Sequence, residues 1–204
     1  MIDATTALAR LKEGNLRFAK GQRSIDKLLN QNDRMDQLLG QQPFAIILGC
    51  SDSRVPAEIV FDQGLGDLFV IRVAGNIVAP SQVGSVEFAA VQFSTRLVVV
   101  MGHTHCGAVK ATLDEMHTPK AEQSKNIRAI VDRIQPALKP FVGTDLWDKH
   151  EALYRQAIRA NIDYSVHQLQ HSSSILEALV EKEGLLMVGA EYDLQTSKVE
   201  FFAN

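Results

Sequence analysis

Excess charge of either sign is missing from this chain: 21 lysines and arginines stand against 24 aspartates and glutamates in 204 residues. No positive field exists to hold a phosphate backbone, so nucleic acid is not expected as a partner. Long apolar runs are also missing; none reaches the roughly 18 residues of a membrane span, so no membrane association is expected. The first residues, MIDATTALARLKEGNLRFAKG, show helical periodicity broken by charges. They lack the basic start, apolar run and small-residue cleavage site of a secretion signal, and a soluble, cytoplasmic protein is expected. Cysteine is scarce, at two residues. A chain of this length, 46% hydrophobic, buries a core without staples, so two reduced thiols are expected instead of a disulfide. Repeats and low-complexity tracts are absent, and a single domain over 1–204 is expected.

What is present is an alternation of strand and helix patterns. PFAIILGC (43–50), DLFVIRVA (67–74) and RLVVVMGH (96–103) are short β-branched runs, each followed by small or polar residues, and read as buried parallel strands. SQVGSVEFAAVQFS (81–94) reads as a helix with Ser81 placed to cap it. Further helical patterns start near Gly107 and at NIRAIVDRIQPALKP; a break follows at 140–144, then one long amphipathic run from Trp147 to Lys182. GLLMVGAEYDL and SKVEFFA read as a closing hairpin through Gln195 and Thr196. The expected fold class is α/β: a mostly parallel open sheet of about four parallel strands plus an antiparallel edge strand, flanked by helices.

Open parallel sheets bind ligands at the carboxyl ends of their strands. Cys50 ends the first strand run and opens CSDSR; His103 ends the third and opens HTHCG. Taken alone, Cys50 and Cys106 read as buried small hydrophobes. Cys106, however, falls at a helix start, where free backbone N–H groups favour a thiolate. Two sulfurs and one imidazole suit tetrahedral zinc, and three protein ligands leave the fourth position open, the pattern of catalytic zinc. His105 competes as a ligand, but two ligands at adjacent turn positions are less comfortable than the His-x-x-Cys spacing, and it is given a supporting role. His117, His150, His167 and His171 lie on helical surfaces without cysteine partners and are not nominated. Asp52 and Arg54 read equally as a surface ion pair.

CSDSRVPAEIVFDQGLGDLFVIRVAGNIV (50–78) followed by HTHCG (103–107) resembles the β-class carbonic anhydrases. The resemblance implies zinc, one per subunit, on Cys50, His103 and Cys106, with Asp52 and Arg54 as the catalytic dyad. It implies reversible hydration of carbon dioxide to bicarbonate by zinc-bound hydroxide, since zinc lowers the pKa of water; about 7 is the value known for carbonic anhydrases with three histidine ligands, a different donor set. Two thiolates make bound water less acidic than three imidazoles, which leaves a role for the hydrogen bond Asp52 accepts. Arg54 keeps Asp52 ionised. A closed state is also implied, in which Asp52 itself becomes the fourth ligand.

By position, Gln41, Phe69 and Phe88 match the family's substrate pocket. Phe88 stands where many members carry tyrosine, and core packing is an equal reading for either phenylalanine. The inhibitory bicarbonate site of one subgroup needs a tryptophan, an arginine and a tyrosine; Ile47, Arg72 and Val188 occupy those positions, so no such pocket is expected. A homodimer or homotetramer is implied, with an amino-terminal helical arm (about 1–40) packing on a partner subunit, although an ordinary intrachain helix fits the pattern too. Two rival functions share these residues: a related zinc hydrolase acting on carbon disulfide, and a non-catalytic zinc-stabilised binding module.

Overall fold

The computed structural model describes residues 2–22, 40–118 and 124–202. Helix α1 (Ala4–Ala19) is followed by β1 (Ala45–Gly49), the short α2 (Ala57–Val60), β2 (Leu68–Arg72) and α3 (Pro80–Gln92). Then come β3 (Leu97–His103), α4 (Gly107–His117), α5 (Lys125–Leu138), α6 (His150–Gln170), α7 (Ser174–Lys182), β4 (Leu186–Tyr192) and β5 (Val199–Phe202).

The sheet order is β2-β1-β3-β4-β5. The first four strands are parallel and β5 runs antiparallel along β4, as expected for this α/β class. β1 and β3 are buried along their whole length because helices cover both faces, which is why they read as continuous apolar runs. Chain order reverses at β1: the chain steps to β2 on one side and returns to β3 on the other. The crevice between the carboxyl ends of β1 and β3 is therefore the place for a ligand.

Two local readings need correction. Ser81 does not cap α3: the helix starts at Pro80 behind an extended Ala79, and Ser81 sits in the first turn with its hydroxyl on Gln82. Proline at the first helical position presets φ and has no N–H to satisfy. The run from 147 to 182 is two helices, because Ser173 turns out of helical geometry and its Oγ caps the Leu176 N–H of α7. The triple serine at 172–174 was the available signal.

Helix α1 packs on its own chain, the intrachain arrangement that its pattern also allowed. Ala7, Leu11 and Asn15 are buried against its own chain. Asn15 donates to the Val60 and Ser197 carbonyls and accepts from the Val199 N–H. Arg10 pairs with Asp67 at 2.7 Å, and Arg17 with the buried Asp62 at 2.6 Å. The part of the amino-terminal arm at 23–39 lies outside the described residues. The β4–β5 hairpin passes through Gln195 and Thr196 as expected, their N–H groups donating to Asp193 Oδ1.

Candidate metal and catalytic site

Cys50 is the first residue past β1, His103 the last residue of β3, and Cys106 the residue that precedes α4. Because β1 and β3 are neighbours in register, with Gly49 opposite Met101, the two strand ends deliver Cys50 and His103 to one rim. The three side chains are buried and their ligand atoms lie within 4.8 Å of one another. Among the described residues this is the sole such cluster.

The ring of His103 is oriented for a metal. Its Nδ1 lies 2.9 Å from the Thr104 carbonyl, which only accepts, so Nδ1 carries the proton and Nε2 carries the lone pair. Nε2 is buried and makes no hydrogen bond among the described residues. A bare imidazole lone pair facing two buried sulfurs is expensive unless a cation satisfies it, and the donor set of two thiolates and one imidazole fits zinc. Residues Cys50, His103 and Cys106 would hold the ion.

The electrostatics agree. A hydrogen bond from Cys106, opposed by burial, draws the Cys50 thiol down to about 4. The same hydrogen bond and burial push the Cys106 thiol up, while the Val109 and Ala108 N–H groups at the start of α4 act in the other direction. The pair thus surrenders a first proton readily and a second with difficulty, the situation a divalent ion resolves. Burial lowers the His103 pKa, but the Cys50 sulfur beside it outweighs burial and the net shift is upward.

Asp52 stands at the mouth of the cluster, its Oδ2 3.9 Å from His103 Nε2. Arg54 grips both oxygens, Nε to Oδ1 at 2.9 Å and Nη2 to Oδ2 at 2.7 Å, and its backbone N–H adds a bond to Oδ1 at 3.0 Å. The Arg54 hydrogen bonds outweigh burial and hold the Asp52 carboxyl far below its ordinary 3.8. Asp52 is therefore an ionised acceptor at any working pH. The loop itself is braced from β2, where Arg72 donates to the Cys50 carbonyl at 3.0 Å and to the Asp52 carbonyl at 2.6 Å.

That use of Arg72 bears on the anion site. Ile47, Val99 and Val188 are register neighbours across β1, β3 and β4, and both Ile47 and Val188 are buried. Two hydrocarbons and an arginine that donates to main-chain carbonyls thus stand at those three positions.

Gln41, Phe69 and Phe88 do not join the metal cluster of their own chain. Gln41 precedes β1 and lies at the opposite end of that strand from Cys50, in a cleft of about 560 Å³ shared with Arg10, Phe93 and Thr95. Phe69 packs on Phe88 and Phe93, with ring centroids 6.2 and 6.1 Å away, and Phe88 is 54% exposed. His105 is exposed at a left-handed φ of 57°, and its carbonyl accepts weakly from Arg54 at 3.4 Å. It sits in the turn between β3 and α4.

Sequence reasoning missed the contribution of α6. Tyr154 donates its hydroxyl to the Cys106 carbonyl at 2.8 Å, and Asn161 donates to the Gly75 carbonyl at 2.9 Å. One signal was available: Tyr154, Ile158, Asn161 and Ile162 share a face at helical spacing. Where that face lands was not legible.

The carbonic anhydrase family model matches residues 45–199. A carbonic anhydrase of Mycolicibacterium smegmatis is 38% identical over 93% of this chain and 89% of its own length. Among solved structures, the β-carbonic anhydrase CcaA superposes with a TM-score of 0.71 at 26% identity, covering 97% of this chain and 99% of that one. One of two tetrameric β-carbonic anhydrases of Sordaria macrospora gives a TM-score of 0.72 at 20% identity, over 86% and 89% of the two chains. The chain belongs to the β-carbonic anhydrase family. Its activity is the reversible hydration of carbon dioxide to bicarbonate and a proton.

Proposed function

We propose that this chain hydrates carbon dioxide at one zinc ion per subunit, held by Cys50, His103 and Cys106, with Asp52 and Arg54 as the catalytic dyad. When bound, zinc supplies the Lewis acidity that lets water react at neutral pH. Asp52 accepts a hydrogen bond at a carboxylate oxygen and turns a lone pair of the attacking water toward the carbon. Arg54 keeps that carboxylate charged and holds it off the metal position, so a closed state with Asp52 as fourth ligand must first break the carboxylate's bonds to the Arg54 guanidinium. The observation that carries this reading is the bare His103 Nε2 amid two sulfurs, with an arginine-held carboxylate 3.9 Å away.

Gln41, Phe69 and Phe88 then serve the site of a second copy, which their distance from their own metal cluster and the exposure of Phe88 support. A homodimer or homotetramer follows; the tetrameric neighbour supports it. Among the described residues no helix is long and apolar enough to cross a membrane; a cytoplasmic location is part of the proposal. Zinc analysis with stopped-flow hydration of carbon dioxide tests the whole reading. Stoichiometric zinc with rapid hydration is expected; zinc without hydration at pH 8 and above points instead to a binding module, and turnover of carbon disulfide alone to the related hydrolase.

A pH dependence follows. Asp52 has a depressed pKa, so it is charged above its ordinary 3.8 and stays so until the pH falls through its lower folded value. It does not titrate between roughly pH 6.5 and 9, and the rise of activity expected over that range belongs to the reacting water. Added bicarbonate is expected to leave the profile's shape unchanged, because Ile47 and Val188 bind no anion. A flat profile, or cooperative inhibition by bicarbonate, contradicts this.

A further inference from the structure

Helix α6 passes behind the ligand cluster and makes a polar contact there that the hydration reaction itself does not use. Asn161, 1% exposed, donates from Nδ2 to the Gly75 carbonyl at 2.9 Å. Gly75 in turn donates its own N–H to Cys50 Sγ at 3.4 Å. Gly75 is left-handed, with φ 71°, and a Cβ there would come within 2.7 Å of Ile134 Cδ1 and 3.0 Å of Ala108 Cβ. Only glycine fits. Glycine, however, enters either half of φ space with equal ease, so nothing in its own side chain keeps that N–H on the sulfur. Its carbonyl is the point at which it can be held.

The other end of Asn161 argues against simple packing. Its Oδ1 is buried and makes no hydrogen bond among the described residues. Its neighbours on the same face, Ile158 and Ile162, are apolar and buried. An apolar residue would fill this position without leaving a buried acceptor unmet, so the amide is justified only by what Nδ2 does.

We propose that Asn161 is a positioning residue for the metal: it holds Gly75 in the left-handed conformation that aims the Gly75 N–H at the Cys50 sulfur. That N–H draws charge from the thiolate and limits how much the sulfur gives to the ion, which preserves the ion's Lewis acidity. The inference rests on Cys50, His103 and Cys106 being the ligand set.

The test substitutes cobalt(II) for zinc and follows the thiolate-to-cobalt charge-transfer band, which tracks how electron-rich the sulfur is. Asn161→Leu removes the donor at similar size; Asn161→Ser shortens the side chain by one bond and serves if the leucine variant does not fold. Val166→Ala, a buried truncation farther along α6, reports what loss of packing alone does. Both asparagine variants are expected to move the band to longer wavelength and, because the more electron-rich sulfur holds the ion harder, to release zinc to a chelator more slowly. Val166→Ala is expected to lower thermal stability and leave band and release unchanged. A folded Asn161 variant with the wild-type band and release rate overturns the proposal, as does Val166→Ala shifting both equally. A wild-type protein with no thiolate-to-cobalt band overturns the ligand set, and this inference with it.

Discussion

Cys106→Ser and Cys50→Ser are each expected to purify with little zinc and with hydration at background. A serine hydroxyl stays protonated near neutrality and is a poor ligand for this ion, so each change leaves two protein ligands where three are needed. Losing an outer partner of a ligand costs about 10- to 100-fold in metal affinity or activity; losing the ligand itself costs far more. Unfolding is not the expected cause. Cys106 occupies the N-cap of α4 without a side-chain capping bond, and serine is among the preferred residues at such a position. Circular dichroism of Cys106→Ser should therefore match the wild type while zinc analysis does not. Near-stoichiometric zinc in either variant would remove that cysteine from the ligand set.

Asp52→Ala is expected to do the reverse, keeping zinc and losing hydration by about 10²- to 10⁴-fold, the range for a positioned proton-handling group. The three metal donors do not include Asp52 in this geometry. The substitution frees Arg54, which is 53% exposed and turns to water, so little change in thermal stability is expected. Asp52→Asn separates charge from shape: the amide keeps the size but presents a donor where an acceptor is required, and Arg54 no longer has a bidentate partner. It should be as impaired as alanine. Turnover near wild type in either variant would reduce Asp52 to a residue that shapes the loop.

The carboxyl-end cluster was largely legible in the sequence, and the reason is local. Cys50 and His103 each end an apolar β-branched run, and Cys106 opens a helix, so strand and helix boundaries announced the positions. Asp52 and Arg54 lie two residues apart in the same loop and meet through short-range geometry. Other readings failed where competing local signals were close in strength. Pro80 outranked Ser81 at the start of α3, and Ser173 interrupted a periodicity that otherwise continues to Lys182.

The pocket residues show a different limit. Gln41, Phe69 and Phe88 were placed by their offset from the first cysteine, yet Gln41 precedes β1, Phe69 lies near the amino end of β2 and Phe88 lies on α3, away from the carboxyl end of β1 where Cys50 sits. Offset along a chain does not say where in the fold a side chain lands.

By itself, the sequence determined the α/β class and the parallel strands, because periodicity is read directly from side-chain polarity, and it placed Asp52 and Arg54 in one loop; the grouping of Cys50, His103 and Cys106 was implied by the resemblance of their motifs. The tertiary structure alone decided the rest. The order β2-β1-β3 brings two distant strand ends to one crevice. The seat of α1 on its own chain depends on Asn15 meeting residues 45 and 182 or more positions away. The reach of Tyr154 to Cys106 and of Asn161 to Gly75 depends on α6 crossing the sheet where Gly102 and Gly189 lack side chains. A Cβ at Gly102 would lie 2.6 Å from Ile162, so the helix approaches β3 closely only because nothing stands between them. Such contacts join groups 48 and 86 residues apart, and no local pattern encodes them: their partners are chosen by how close-packed helices and sheet settle against each other.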